Sequence, residues 1–149
     1  MKKIGILTFH CAHNYGAVLQ TYATQRLLED AGHDVEVIDY RPVSLTAPYK
    51  RVRLSRLKGK NGGLSIRHLV SEVLLFPYRC IRYNAFRRFI NYRLSLSERV
   101  TRESFEGNYD VIVVGSDQVW NPEMTGGALD RMYLADFAFE KGKRRYVAD

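Results

Sequence analysis

Apolar residues along the chain form short continuous runs that alternate with stripes at helical spacing. Residues 3–9, KIGILTF, and residues 109–116, YDVIVVGS, are short apolar runs rich in branched side chains. Such runs are typical of strands buried on both faces of a parallel sheet. Residues 33–40, HDVEVIDY, alternate apolar and polar side chains and predict a further strand. We therefore predict three strands, with 109–116 as the third along the chain.

A helix is predicted between the first two strands, from about Tyr15 to Ala31. Asn14 precedes it as a candidate N-cap, and Gly32 follows it as a stop signal. Apolar side chains fall near one stripe of this helix, at Ala17, Val18, Tyr22, Leu28 and Ala31. Strand, helix and strand in this order form a βαβ unit, and such units build parallel sheets with right-handed crossovers. The predicted fold is therefore α/β, a Rossmann-like parallel sheet with flanking helices.

The middle of the chain changes character. Periodicity disappears over residues 43–65, where basic residues and the KGKNGG run predict a flexible basic insert. Helical patterns cover 66–76 and 78–94, with an interruption or kink predicted at Pro77. The second pattern has one apolar face, formed by Ile81, Ala85, Phe86, Phe89 and Ile90. Residues 132–137 predict a short strand or turn, and the terminal KRRYVAD predicts the start of another strand.

The length of 149 residues predicts one domain over residues 1–149. No apolar run approaches the roughly 20 residues of a membrane span. The first apolar stretch, about six residues, is too short for the core of a secretion signal, which needs about 7–15 residues. We therefore interpret the protein as cytoplasmic. Cys11 and Cys80 are too few and too far apart for a disulfide framework, and we favour a polar loop over a metal site for HCAH, residues 10–13.

The net charge of +7 is concentrated in residues 41–102, which contain 15 basic residues and only two acidic ones. Such a block indicates an anionic partner, an anionic membrane surface or a solvated face. An arginine-rich solvent face on a core-packing helix is the simplest interpretation, and peripheral contact with the inner face of a membrane is an alternative. No motif for nucleic-acid binding accompanies the charge, so no nucleic-acid partner is predicted.

Two segments point to a site at the carboxyl ends of the strands, where ligands bind in open parallel sheets. The loop 10–16 leads into a helix N-terminus, which favours anions. Gly115, Ser116, Asp117 and Gln118 follow the third strand, with donors and acceptors for sugar hydroxyls, and Trp120 adds a flat face for stacking on a sugar ring. The alternatives are structural: Asp117 caps the next turn, Trp120 fills the core, and Asn14 only begins its helix.

Five segments carry a resemblance to a known family: KIGILTFHCAHNYGAVLQTYATQRLLEDAGHDVEVIDYRP, FRRFINYRLSLS, YDVIVVGSDQVWNP, YLADF and KRRYVAD. In this order they resemble the N-terminal portion of the polysaccharide pyruvyl transferase family, over nearly the whole chain. The resemblance implies the first half of a two-domain protein similar to GT-B glycosyltransferases. It also implies transfer of a pyruvyl group from phosphoenolpyruvate to a sugar of a cell-surface polysaccharide or its precursor, which forms a pyruvate ketal.

The family's donor-binding residues lie mostly in a second half and have no counterpart here. The resemblance therefore implies an acceptor-side part that lacks its C-terminal domain, and enzymatic activity of this chain alone stays open. Asp117 is the first candidate for a general base, and His13 is the second. The residues predicted to bind the saccharide are Asn14, Tyr15, Gly16, Gly115, Ser116, Gln118 and Trp120. No cofactor and no metal are predicted. The rival hypothesis is a non-catalytic module for a nucleotide sugar or a lipid-linked saccharide.

Overall fold

The computed structural model describes residues 1–47, 66–115, 117–136 and 144–147. The five strands, in chain order, are β1 Lys3–Leu7, β2 Asp34–Tyr40, β3 Leu96–Val100, β4 Val111–Val114 and β5 Arg144–Val147. The helices are α1 Tyr15–Asp30, α2 Val43–Thr46 and α3 Ile66–Arg93, with a 3₁₀ helix at Asp117–Trp120.

The strands form one sheet in the order β3-β2-β1-β4-β5, and every neighbouring pair is parallel. This order confirms the predicted Rossmann-like α/β fold. The chain moves outward from β1 to β2 and β3, then returns to place β4 on the other side of β1. The strand order therefore reverses between β1 and β4, and this reversal opens a crevice beyond their carboxyl ends.

Each face of the sheet carries its own hydrophobic core, because successive side chains of a strand point to opposite faces. On one face, Ile6 and Val37 pack with Phe86 and Ile90 of α3 and with Val18 of α1. We call this the helix-side core. On the other face, strand residues pack with the segments that follow β1 and β4. Large members of this loop-side core include Leu7, Phe9, Ile38, Tyr109, Ile112, Met132 and Tyr133.

Helix α1 begins and ends as its sequence predicts. The Asn14 side chain accepts a hydrogen bond from the Gly16 amide at 2.8 Å, which confirms the N-cap. Gly32 has φ of 83°, and its amide donates to the Glu29 carbonyl while the His33 amide donates to the Leu28 carbonyl. These two bonds are a Schellman motif, which requires the left-handed conformation that glycine adopts easily.

The buried stripe of α1 differs from the prediction, since its fully buried members are Val18, Thr21 and Gln25, and Ala31 is exposed. The polar members find partners. Thr21 Oγ1 donates to the Ala17 carbonyl at 2.7 Å, a bond within the helix. Gln25 accepts from the Ser95 amide at 2.9 Å and donates to Ser95 Oγ at 3.1 Å. Gln25 therefore connects α1 to the residue that precedes β3.

The predicted interruption at Pro77 is wrong, because α3 runs through this residue as one helix, and the alternative of a kink there stays a prediction. Proline removes one intrahelical hydrogen bond, and the remaining turns of a long helix keep it continuous. Of the predicted apolar face, Phe86 and Ile90 are buried and Phe89 is half-buried. Ile81 and Ala85 are exposed, so that face packs less completely than its composition indicates.

Several other elements differ from their predicted bounds. Strand β3, with the sequence LSERV, was not predicted, because its alternation is short and largely polar. The predicted strand 109–116 is reduced to β4, and residues 131–136 form turns. The predicted strand near the end of the chain is present as β5. Of the predicted insert 43–65, residues 43–46 form α2 with Leu45 buried, and residues 48–65 lie outside the described part.

Candidate functional site

The two segments singled out in the sequence follow the carboxyl ends of β1 and β4, where the strand order reverses. Leu7 pairs with Val114 in the parallel ladder, and the Gly115 amide donates to the Leu7 carbonyl at 3.3 Å. Because the two strands are neighbours and parallel, the loop that leads to α1 and the turn that leads to the 3₁₀ helix leave the same edge of the sheet. Gly115 lies at the point where these two segments separate.

His13 lies on the helix-side face of this edge. Its ring stacks parallel to that of Phe86, with centroids 5.1 Å apart, and meets the Tyr83 ring edge-on at 4.9 Å. Arg82 donates to the His13 carbonyl at 2.9 Å. Burial lowers the pKa of His13, and the positive charges of Arg82 and Arg41 lower it further. Its imidazole is therefore neutral near pH 7, which is the form that accepts a proton.

The residues after His13 form the first turn of α1. Asn14 caps the helix, so the structural alternative considered for this residue is realised. A binding role for the same side chain stays a prediction. Tyr15 is 68% exposed, and its ring lies 4.8 Å from that of Phe86. An added Cβ on Gly16 would lie 3.3 Å from Asn14 Oδ1, so this glycine allows a close capping contact.

The 3₁₀ helix after β4 is attached to the loop-side core. Val119 is fully buried there, and the half-buried Trp120 packs against the same core. Trp120 Nε1 donates to the Tyr133 carbonyl at 3.4 Å, so its indole has the packing role considered in the sequence as an alternative. Gln118 is exposed. Ser116 and the side chain of Asp117 lie outside the described part of the structure, and their roles stay predictions.

The structure thus brings both candidate segments to one edge. The loop after β1 contacts both faces of the sheet there, because its Cys11 and Ala12 pack into the loop-side core. His13 and Tyr15 contact α3 on the helix-side face, whereas Val119 and Trp120 pack into the loop-side core. A ligand that contacts both segments would therefore lie across the ends of β1 and β4. This geometry suits a flat ring or an extended chain that crosses the crevice.

A second polar group near this edge was not predicted as a site. His10 is completely buried, and its Nε2 donates to Asp39 Oδ1 at 2.9 Å. Arg41 Nε donates to the same oxygen at 2.5 Å. Burial alone would raise the pKa of Asp39, but the bonds from His10 and Arg41 and the charge of Arg41 lower it to about 2. Asp39 therefore remains a carboxylate that joins β1 to the end of β2.

The signal for this group was present in the sequence. His10 follows β1, and Asp39 and Arg41 lie at the end of β2, so polar side chains end two adjacent strands. From the sequence, His10 is predicted to be part of a polar loop. Within the described residues, no group of three or more His, Cys, Asp and Glu side chains could hold a metal ion.

The strand order and the edge shared by β1 and β4 define an α/β protein of Rossmann-like type with a candidate site at the reversal of strand order. The family model of polysaccharide pyruvyl transferase matches residues 14–148. The chain belongs to the polysaccharide pyruvyl transferase family, as the resemblance in its sequence predicted. Comparisons with curated proteins and with solved structures returned no match.

Proposed function

We propose that this chain binds the saccharide acceptor in the transfer of a pyruvyl group from phosphoenolpyruvate to a sugar. The observation that carries the proposal is the strand pairing that brings the loop after β1 and the turn after β4 to one edge. Membership of the family supports the reaction class. Two aromatic residues at this edge, the exposed Tyr15 and the half-buried Trp120, support a carbohydrate ligand, and so does the exposed Gln118.

The reaction needs a base near the acceptor. Protonation of the methylene carbon of phosphoenolpyruvate leaves an electrophilic centre at C2, which a sugar hydroxyl attacks. Phosphate departs with the electron pair of its bond to C2, and a second hydroxyl of the sugar closes the ketal. The two hydroxyl protons are balanced by the new methyl group and by the released phosphate. A general base within hydrogen-bond reach accelerates such an attack by about 10²–10⁴-fold.

His13 fits the role of base in its protonation state. Burial and two neighbouring arginines keep the imidazole neutral, and the loop that holds His13 leaves the crevice edge. We propose His13 as the base and Asp117 as a residue that orients the acceptor hydroxyl, which reverses the order of preference reached from the sequence. This order rests on the described surroundings of His13.

Calorimetry on the chain tests acceptor binding. The protein is titrated with a panel of hexoses and N-acetylhexosamines, as monosaccharides and disaccharides, and separately with phosphoenolpyruvate. We expect heat from at least one saccharide and none from phosphoenolpyruvate. Binding of phosphoenolpyruvate alone would contradict the acceptor assignment, and so would a folded chain that binds no saccharide of the panel.

Release of phosphate from phosphoenolpyruvate in the presence of the bound saccharide tests the base. The assay uses a fusion of this chain with the donor-binding half of a complete family member, because this chain alone is expected not to bind phosphoenolpyruvate. We expect His13→Gln to lower the rate by about 10²-fold or more while saccharide affinity stays near that of the unchanged protein. His33→Gln is the matched control, because His33 lies at the opposite end of α1, before β2. Equal rates for the two variants would show that His13 is not the base.

A further inference from the structure

Between residues 70 and 81, helix α3 shields a charged pair and exposes large apolar side chains. Glu72 and Arg79 form an ion pair, and their side chains are only 10% and 17% exposed. Large apolar residues of the same segment point outward, with Leu74 73% and Ile81 70% exposed. A helix on the surface of a soluble domain normally shows the opposite arrangement, with apolar side chains inward and charges outward. These exposed apolar side chains are therefore suited to an environment other than water.

Val73, Leu75 and Phe76 are exposed on other sides of α3, and one side carries a longer row of exposed apolar residues. Val70, Leu74, Tyr78 and Ile81 are each about half exposed or more, and they recur at spacings of three and four residues. Tyr92 continues the same side towards the end of α3. From residue 70 to residue 92 this side extends over roughly 33 Å, at about 1.5 Å of rise per residue. We call this side the outward face of α3.

The outward face continues onto α1. A groove between the two helices is lined by Tyr15, Val18, Leu19, Ala85, Phe86 and Phe89. Tyr15 and Leu19 are each more than half exposed, and Tyr15 lies in the first turn of α1 beside the crevice edge. The apolar surface therefore adjoins the edge where the candidate site lies.

The charges beside this surface have one sign. Arg82, Arg87, Arg88 and Arg93 are exposed on α3. Glu72 is the only acidic residue of the helix, and Arg79 already pairs with it. An isologous contact between two copies would bring these arginines together, and their repulsion disfavours a second copy as the occupant. Anionic head groups supply opposite charges to these arginines, which lie along the second half of α3.

We propose that the outward face of α3, together with Tyr15 and Leu19, binds the surface of a membrane that contains anionic lipid. The apolar side chains enter the boundary between head groups and acyl chains, and the arginines contact the head groups. The tyrosines are suited to that boundary, because they join an apolar ring to a polar hydroxyl. None of the described helices is long and apolar enough to cross a membrane. The proposal places α3 along the membrane surface.

Sedimentation with lipid vesicles tests this binding. One set of vesicles contains phosphatidylcholine alone, and the other contains about one third phosphatidylglycerol. We expect the protein to sediment with the anionic vesicles and to remain in solution with the neutral ones. Added salt weakens the binding without abolishing it, because apolar contacts persist when the charges are screened. Absence of binding to the anionic vesicles would overturn the proposal.

Two double variants separate the contributions of apolar side chains and of charges to vesicle binding. Leu74→Ser with Ile81→Ser removes exposed apolar side chains, and Arg87→Gln with Arg88→Gln removes exposed charges. Each is expected to lower the vesicle partition coefficient at least tenfold. Leu27→Ser is the matched control, because Leu27 is 71% exposed on α1 and does not line the groove. Partition coefficients of the double variants equal to that of Leu27→Ser would overturn the proposal.

Sedimentation velocity without lipid distinguishes a protein partner from a membrane. A protein that self-associates through this face, and becomes monomeric in the Leu74→Ser and Ile81→Ser variant, would also overturn the proposal. The vesicle experiment uses neither saccharide nor phosphoenolpyruvate. Its outcome is therefore independent of the acceptor-binding proposal, and either one can fail alone.

Discussion

Replacement of Asp39 by asparagine tests whether the buried carboxylate stabilises the fold through its two donors. Its side chain is 10% exposed, and it accepts from His10 and from Arg41. Asparagine keeps the shape of the side chain and removes its charge. The two donors then lose a charge-assisted acceptor, which is stronger than a neutral one.

The magnitude follows from the pKa of Asp39, which falls from 3.8 to about 2 on folding. This difference corresponds to about 2 kcal/mol of stability. Because the folded pKa is the lower one, the contribution is complete above about pH 5 and is lost as the pH falls towards 2. Between pH 5 and pH 3, about 1 kcal/mol should disappear.

Urea unfolding at pH 7, 5 and 3 measures these values. At pH 7, the free energy of unfolding of Asp39→Asn is expected to be about 2 kcal/mol lower than that of the unchanged protein. Between pH 5 and pH 3, the free energy of unfolding of the variant should decrease by about 1 kcal/mol less than that of the unchanged protein. Asp34→Asn is the matched control, because Asp34 is an exposed aspartate on the same strand. The reasoning is refuted if Asp39→Asn and the unchanged protein lose equal free energy between pH 5 and pH 3.

Two further predictions concern the core and the cysteines. An added Cβ on Gly5 would lie 2.9 Å from Ile38 Cδ1 and 2.9 Å from Tyr109 Cγ, so Gly5→Ala should lower the free energy of unfolding by about 1–3 kcal/mol. Gly32→Ala, which has open space but a positive φ, should lose only about 1 kcal/mol, and equal losses in urea unfolding would contradict the steric explanation. Burial raises the pKa of Cys11 to about 11, whereas Cys80 is half-buried, so Cys80 should react first with a thiol reagent at pH 8. Cys80→Ser should abolish the fast phase; its loss in Cys11→Ser instead would show that Cys11 is accessible.

The sequence predicted the elements whose local signals agree with their burial. β1 and β4 are apolar runs in a sheet covered on both faces, and β2 alternates apolar and polar residues. Helix α1 has both an N-cap and a glycine stop. β3 was missed because it is an edge strand with the polar sequence LSERV, and its pairing with β2 depends on a neighbour distant in sequence. Local periodicity contains no information about such a partner.

The sequence predicted the location of the candidate site better than it predicted the residues that form it. Parallel topology places the ends of β1 and β4 at one edge, which follows from the order of elements alone. The contacts of His13 with Phe86 and Arg82 depend on how α3 packs, and the sequence does not specify that packing. The His10, Asp39 and Arg41 group was missed for a related reason, since His10 and Asp39 are 29 residues apart along the chain.

The bonds between Gln25 and Ser95 affect how far the protein tolerates insertions and deletions. They join positions 70 residues apart and, together with the Val37 amide, which donates to the Ser95 carbonyl at 2.7 Å, they hold the start of β3 against both α1 and β2. The entropic penalty of a longer connection grows only slowly with the number of residues added. Insertions or deletions between α2 and α3 should therefore leave the pairing of β2 with β3 in place, which makes this connection a suitable point for joining a reporter domain.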